Sequence, residues 1–353
     1  MYFMNNKFTP ISEVGEFGLI EKLTKDHLNK HKSTKTGIGD DSAVLKDLKK
    51  HDRLISTDML VEGVHFDPTY TPLKHLGYKS IVVNISDICA MNGVATHALV
   101  SLGIPNKYSV EHIEELYLGI KTACLNYNID LIGGDTTSSG SGLIISITIL
   151  GDAPEEKAAH RSGAEANDVI FVSGDLGAAY LGLQVLEREK RIFRDNEKVQ
   201  PELNEYSYVL ERQLKPEARV DIVNELKKQE ITPSSMIDLS DGLSSDLRHI
   251  CKRSNIGVKI FEDKIPISKE TREVANELGV SPVFCALHGG EDYELLFTAP
   301  VSLHEKLKGI DSIKAIGHTT SEKDKIELIT NANQSIDLTS EGWDSFFKPK
   351  ENI

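Results

Sequence analysis

The apolar residues of this chain fall into short runs that switch between helical and strand periods. Phe17, Ile20, Leu23 and Leu28 recur at roughly helical spacing and predict an opening helix over residues 14–30. Ser42–Leu45 and Arg53–Thr57, joined by the polar turn Lys46–Asp52, read as strands. Pro72 suits the first turn of a helix that runs to about Met91. On that helix Ser80, Asn84, Asp87 and Met91 are three or four residues apart and lie near one face, so Asp87 projects from a rigid element. Thr96–Gly103 reads as a strand, and Ser109 as the N-cap of a helix reaching about Asn126. Ile129–Ile132 and Leu143–Leu150 are strands flanking a turn at Gly133-Gly134-Asp135-Thr136-Thr137, in an alternating α/β pattern whose adjacent strands can pair as hairpins.

The stretch Gly151–Asp168, rich in Gly, Ala, Glu and Pro, marks a domain boundary. Beyond it the pattern predicts a strand (Val169–Ser173), a Gly/Ala-rich helix (Leu176–Glu187) and a charged surface insert (Arg188–Glu205). Ser235–Leu239 reads as a strand, Leu243–Arg253 as a helix and Glu294–Thr298 as a strand, and three to four further elements close the chain near Phe347. The expected division is 1–152, 153–347 and a tail 348–353.

A chain of 353 residues, 39% of them hydrophobic, can bury a sizeable core in two domains. The net charge of −14 argues against a general nucleic-acid binder. Anionic substrates stay open if metal ions reverse the local field. The N-terminus lacks the apolar core of a signal peptide, and the run Leu143–Leu150 is broken by Ser146 and Thr148 and too short to cross a bilayer. Cys89, Cys124, Cys251 and Cys285 are isolated beside apolar residues and read as reduced, buried thiols of a cytoplasmic protein.

No Walker loop, kinase glycine loop or dinucleotide fingerprint is present, so any nucleotide must be held through metals and backbone amides. Oxygen donors, which suit hard cations such as Mg²⁺, recur instead at element ends. Asp40 and Asp41 follow Gly39 at a turn that also reads as a solvated loop. Ser56 and Asp58 share a face by strand alternation, with Thr57 available if the strand ends there; an Asx or Ser/Thr turn is the alternative. Asp87, among Ile85, Ile88 and Cys89, must face a cleft or an ion. Asp238 and Ser240 alternate onto one face, while Asp241 also reads as an N-cap and Asp246 as a surface helix residue. Gly133-Gly134 lets a backbone approach phosphate or simply turns a hairpin, and Gly289-Gly290-Glu291 is equally read as a hairpin. Arg161 and Arg219 are phosphate clamps or surface ion pairs. His65, between Val64 and Phe66, and Trp343 are each read as packed side chains before any binding role. Donors on four separate elements make a polynuclear Mg²⁺ site plausible, although spacing alone does not bring them together.

In order, the chain carries Gly37-Ile38-Gly39-Asp40-Asp41, then Ser56-Thr57-Asp58-Met59-Leu60-Val61-Glu62-Gly63-Val64-His65-Phe66. Lys79 leads to Val83-Asn84-Ile85-Ser86-Asp87-Ile88-Cys89-Ala90-Met91. Gly133-Gly134-Asp135-Thr136-Thr137, Ile237-Asp238-Leu239-Ser240-Asp241-Gly242-Leu243 and Gly289-Gly290-Glu291-Asp292-Tyr293-Glu294-Leu295 follow. In these motifs nearly the whole chain, from Gly15 to Trp343, resembles the thiamine-monophosphate kinase family, within the aminoimidazole-ribonucleotide synthetase-like superfamily. The resemblance implies a two-domain α+β / α/β fold, with an N-terminal α+β domain forming a barrel at a homodimer interface and a C-terminal α/β domain closing a cleft. It implies several Mg²⁺ ions held by Asp41, Ser56, Thr57, Asp58, Asp87, Asp135, Asp238 and Asp241. It further implies ATP contacts from Gly134, Asp135, Arg161 and Ser240, and thiamine phosphate contacts from His65, Glu291 and Trp343. The implied reaction is ATP-dependent phosphorylation of thiamine phosphate to thiamine diphosphate, the last step of that cofactor's biosynthesis, with no general base.

Two departures stand out: Asn92 replaces an expected glycine, and the insert at 188–205 has no assigned role. A ligase-like enzyme of the same superfamily, making an acyl-phosphate or iminophosphate, is an alternative; its selenophosphate synthetase and hydrogenase-maturation relatives lead one to expect a catalytic or terminal cysteine, and the end Lys350-Glu351-Asn352-Ile353 has none. A nucleotide sensor without catalysis is a second alternative, separated from a kinase by detection of a diphosphate product.

Overall fold

The computed structural model describes residues 34–36, 40–46, 50–195 and 203–338. The helix expected over 14–30 and Trp343 lie outside the described residues.

The strand-period runs of the first half make one sheet. Its strands are β1 (Thr34–Thr36), β2 (Ala43–Lys46), β3 (His51–Val61), β4 (Val94–Ile104), β5 (Asp130–Ser138) and β6 (Ile144–Pro154), in the order β1-β2-β3-β6-β4-β5. β6 pairs antiparallel with β3 from His51↔Pro154 to Val61↔Ile144. Along β6 the residues Ile145, Ile147 and Ile149 are buried while Ser146 and Thr148 between them are not, the alternation of a sheet covered on one face. Helices α1 (Leu73–Ala90) and α2 (Val110–Asn126) pack together, and α1 lies against β3, β4 and β6. The two helices meet backbone to backbone, since a Cβ on Gly77 would fall 2.0 Å from Leu116 O and one on Gly119 would fall 1.9 Å from Lys74 O.

Two expectations are corrected here. Gly133–Thr137 is not a hairpin turn but the middle of β5, which runs parallel to β4 along the sheet's outer edge, with Ser101 opposite Asp135. Among the described residues the sheet is open and no closed barrel is seen.

The second sheet has seven strands. They are β7 (Val169–Ser173), β8 (Ser235–Asp238), β9 (Gly257–Phe261), β10 (Leu295–Ala299), β11 (Ile313–Thr320), β12 (Ile326–Ile329) and β13 (Ser335–Asp337), in the order β13-β12-β9-β11-β7-β10-β8. Its helices are α3 (Ala178–Asp195), α4 (Ser207–Leu214), α5 (Val220–Lys228), α6 (Leu243–Ser254), α7 (Lys269–Leu278), α8 (Pro282–His288) and α9 (His304–Lys308); α6 lies against β8, β9 and β12 and α9 against β11, while α3, α4, α7 and α8 pack on one another. All residues of β8 and β10 are buried, as expected of strands covered on both faces. Helices α4, α5, α7 and α8 and strand β9 were not anticipated; each has only 5 to 10 residues, too few turns for a period to stand out. The first part of the charged surface insert, 188–195, is on the surface but helical, forming the last two turns of α3, and its Lys190 pairs with Asp67 at 2.5 Å. Asn92 adopts the left-handed conformation (φ +55°) that glycine would have filled, one of the few non-glycine residues suited to it.

Helix α1 is the element shared by both halves. Its apolar residues Ile85 and Ile88 belong to the same core as Met236, Leu295 and Phe297 of the second sheet. A helix buried nearly all round buries polar side chains as well, here Lys79, Ser80, Asn84 and Ser86. Each needs a partner, and those partners define the site.

Candidate active site

Three carboxylates reach one point from three elements. Asp41 arrives from the segment before β2, Asp87 from the last turn of α1 and Asp238 from the end of β8, with one oxygen of each within 4.8 Å of the others. Serines fix two of them: Ser56 Oγ on β3 donates to Asp87, and Ser86 Oγ on α1 donates to Asp238 Oδ2 at 2.6 Å. The third, Asp41, is paired with the Arg161 guanidinium, and the Arg161 amide donates to Asp40 Oδ1 at 2.8 Å. The register of β3 on α1 is set by Asn84, whose Oδ1 accepts from the Asp58 amide at 3.1 Å while its Nδ2 donates to Ser80 O at 3.0 Å.

Three acids, Asp238 buried and Asp41 and Asp87 partly so, with one guanidinium leave the pocket negative. Burial pushes the Asp87 carboxyl well above the ordinary range, and the charges of Asp58, Asp238 and Asp41 push the same way. Burial also raises Asp41, against the pull of Arg161. Asp238 is pushed up to about 7 by burial and then by Asp41, with the Ser86 hydrogen bond acting in the other direction. Burial alone would lower Arg161, but the Asp41 carboxylate beside it keeps the guanidinium firmly charged. Asp41 Oδ2 is buried with no hydrogen-bond partner. A bare oxygen among mutually repelling carboxylates is what a hard divalent cation satisfies, so the donor set fits Mg²⁺.

A second constellation lies at the start of α6, where Asp241, Asp246 and His249 each bring a ligand atom within 4.8 Å of the other two. Sequence reasoning missed two of its members. Asp246, expected on the surface, is 1% exposed, and its Oδ2 accepts from the Asp241 amide at 3.3 Å. The N-cap position belongs to Gly242 at φ +108°, which leaves Asp241 outside the helix. Burial pushes Asp246 well up and then Asp241 adds to it, while burial and the nearby Arg161 push His249 down to about 4, so the imidazole is neutral. The available signal was the three-residue spacing of Asp246 and His249, which puts them on one helix face.

Glu291 lies between α8 and β10 and is no hairpin residue. Its amide donates to Ser240 O at 2.8 Å and that of Tyr293 to Leu239 O at 2.9 Å, which locks this loop onto the Asp238–Asp241 segment. Gly290, Glu291 and Tyr293 all have positive φ, and a Cβ on Gly290 would sit 2.6 Å from Ser240 O, so only glycine fits there. Non-glycine residues held in this region mark sites where the surroundings over-determine the backbone. The buried Tyr293 phenol is raised well above its ordinary range by burial and then by the charges of Glu291, Asp58, Asp238 and Asp241.

Other sequence candidates are not brought to the three-carboxylate point. The strand does not end at Thr57, whose hydroxyl turns to the opposite face and donates to Ile147 O at 2.8 Å. Gly134 and Asp135 are exposed on β5, separated from β3 by β6 and β4. His65 follows β3 and accepts from the Val61 amide through Nδ1 at 3.1 Å. Arg219 is not free for phosphate: it makes the expected ion pair with the exposed Asp221, at 2.8 Å, and a second one inward. With Arg212 it neutralises Glu294, a buried acid that also accepts from Ser173.

The family model described as "AIR synthase related protein, N-terminal domain" matches residues 39–153. The chain is 34% identical over 339 residues to the thiamine-monophosphate kinase of Bacillus subtilis (strain 168), covering 94% of this chain and 99% of that protein. It is 37% identical over 290 residues to the thiamine-monophosphate kinase of Aquifex aeolicus (strain VF5), covering 82% and 87%. Among solved structures, AaThiL complexed with AMPPCP and TMP superposes with a TM-score of 0.82 at 33% identity, covering 96% of this chain and 99% of that one. Hydrogenase maturation protein HypE in complex with ATP shares the fold, with a TM-score of 0.66 at 16% identity over 94% of this chain and 97% of that one.

Proposed function

The chain belongs to the thiamine-monophosphate kinase family, and from that membership we propose that it transfers the γ-phosphoryl group of ATP to thiamine phosphate, releasing ADP and thiamine diphosphate. The observation that carries the reading is the meeting of Asp41, Asp87 and Asp238 at one point, their oxygens within 4.8 Å of one another.

The acceptor is a phosphate monoester whose second pKa is about 6, so at neutral pH its oxygen is already a nucleophile and no general base is required. The obstacle is repulsion between two polyanions. Asp41, Ser56, Asp58, Asp87, Asp238 and Asp241 are the proposed Mg²⁺ ligands around this pocket, and Thr57 and Asp135, which lie away from the three-carboxylate point, are proposed to ligate Mg²⁺ outside it. Bound Mg²⁺ would supply charge neutralisation and alignment for an in-line transfer. The protein's own contribution is preorganisation. Ser56 and Ser86 hold the Asp87 and Asp238 carboxylates in place before substrate arrives, so little reorganisation remains during the reaction. Arg161, Ser240, Gly134 and Asp135 are the proposed ATP contacts, and the guanidinium offers the planar donor fork that phosphate accepts well. His65, Glu291 and Trp343 are proposed to receive thiamine phosphate.

The proposed division is an N-terminal domain over 1–152, a C-terminal domain over 153–347 and a tail over 348–353. A homodimer is proposed, with two N-terminal sheets closing into a barrel. Its support is the sheet face turned away from α1, where Met59 is 54% exposed, as is Ile132 on β5. No helix among the described residues is long and apolar enough to cross a membrane, and a cytoplasmic enzyme is proposed. The test is a coupled assay with ATP and Mg²⁺, with the product identified by mass. ADP release that depends on thiamine phosphate is expected, and turnover of free thiamine in its place overturns the reading.

A further inference from the structure

We propose that Lys79 is a positioning residue of the reaction, acting through Glu291. The inference rests on the kinase reading and on Glu291 facing thiamine phosphate.

Lys79 is buried in α1, where an ammonium without a counter-charge is costly. Its Nζ lies 2.9 Å from Glu291 Oε1 and donates to Gln213 O at 3.0 Å. The second Glu291 oxygen, Oε2, accepts from Gln213 Nε2 at 2.7 Å. Both oxygens of one carboxylate are therefore held, and the two groups that hold them are bonded to each other. The Glu291 side chain keeps 32% of its surface exposed and that of Lys79 only 7%, so a ligand can touch the acid and not the ammonium. This separates a group that meets substrate from one that aims it.

The placement along α1 gives the arrangement its direction. Lys79 and Ser86 are seven residues apart, two turns, and so share a face. Ser86 holds Asp238 in the carboxylate cluster, while Lys79, whose place on the helix is about 10 Å from that of Ser86 along the axis, holds Glu291 beside it. A substrate with a phosphate at one end and a flat organic cation at the other spans such a distance, with its phosphate toward the cluster and its rings toward Glu291. The left-handed backbone of Glu291 makes the brace more consequential, because a strained turn moves once a fixing contact is lost.

The test is steady-state kinetics on wild type, K79M, K79R, E291Q and the K79M/E291Q double variant, with thermal melts alongside. K79M is expected to raise KM for thiamine phosphate about tenfold and leave KM for ATP within about twofold, with K79R partly restoring it. In the E291Q background the same change is expected to add less than about threefold, because its route runs through the missing carboxylate. A purely structural lysine would lower the melting temperature without separating the two KM values. Equal rises in both KM values, no rise in either, or full multiplication with E291Q overturns the proposal. If K79M does not fold, K79Q, which keeps a donor for Gln213 O, is read by the same criteria. A wild-type protein that does not turn over thiamine phosphate overturns the kinase reading and this inference together. A working wild-type enzyme indifferent to the Lys79 changes overturns only the role of Lys79.

Discussion

Ser86 Oγ donates to Asp238 Oδ2 at 2.6 Å, a contact between residues 152 positions apart that joins the helix of the first sheet to the end of a strand in the second. Both side chains are buried, so the bond is made in a medium where a carboxylate left with one partner fewer is costly. S86A is expected to lower kcat and to change stability by about 1–3 kcal/mol, the range for a hydrogen bond to a charged group. Denaturant melts and turnover check this together, and unchanged values of both would remove Ser86 from the scaffold of the site.

Asp87 sits among acids that repel it, so neutralising it relieves strain in the metal-free protein. D87N is expected to cut kcat at least about a hundredfold while the melting temperature without Mg²⁺ stays level or rises. Wild-type turnover in D87N would take Asp87 out of the proposed metal set.

The raised carboxyls set a pH dependence with a definite sign. Burial and the neighbouring Asp41 push Asp238 up to about 7, from the ordinary carboxylate range near 3.8, and Asp41 and Asp87 shift the same way. Over that interval the folded state binds more protons than the unfolded one, so stability falls as pH rises and the loss is complete above the folded pKa. Without divalent cations the melting temperature is expected to decline from about pH 5 to about pH 8. Added Mg²⁺ is expected to restore more stability at the upper end than at the lower. A Mg²⁺ effect equal at both ends, measured by scanning calorimetry, would contradict the buried-acid account.

Arg219 lies against Glu294, and both are largely buried. R219A is expected to cost about 1–3 kcal/mol, since Glu294 loses one charged partner but keeps Arg212 and Ser173. A rise in KM for ATP without loss of stability would instead return Arg219 to the role of a phosphate clamp.

Local patterns of residues were readable where the physics is local. The strand Val169–Ser173 has the predicted bounds, and Leu243 opens the predicted helix, because apolar runs and turn residues act within a few positions. The oxygen donors could be named from motif order, and Asp41, Asp87 and Asp238 do meet. Gly133–Thr137 was misread because a pair of glycines has the same local appearance in a turn and in an edge strand, and only pairing with β4 separates them. Asp246 was misread because an acid in the first turn of a helix is usually solvated, and its burial is imposed by the elements packed over it.

The sequence alone determined the longer periodic elements and which side chains are able to ligate a cation or phosphate, since helix and strand periods and side-chain chemistry travel with each residue. The tertiary structure decided which of those groups meet: Ser56 with Asp87, Ser86 with Asp238 and Lys79 with Glu291. Those meetings depend on α1 being enclosed between two sheets, and burial of its polar residues compels each to find a partner far along the chain, which no local pattern encodes.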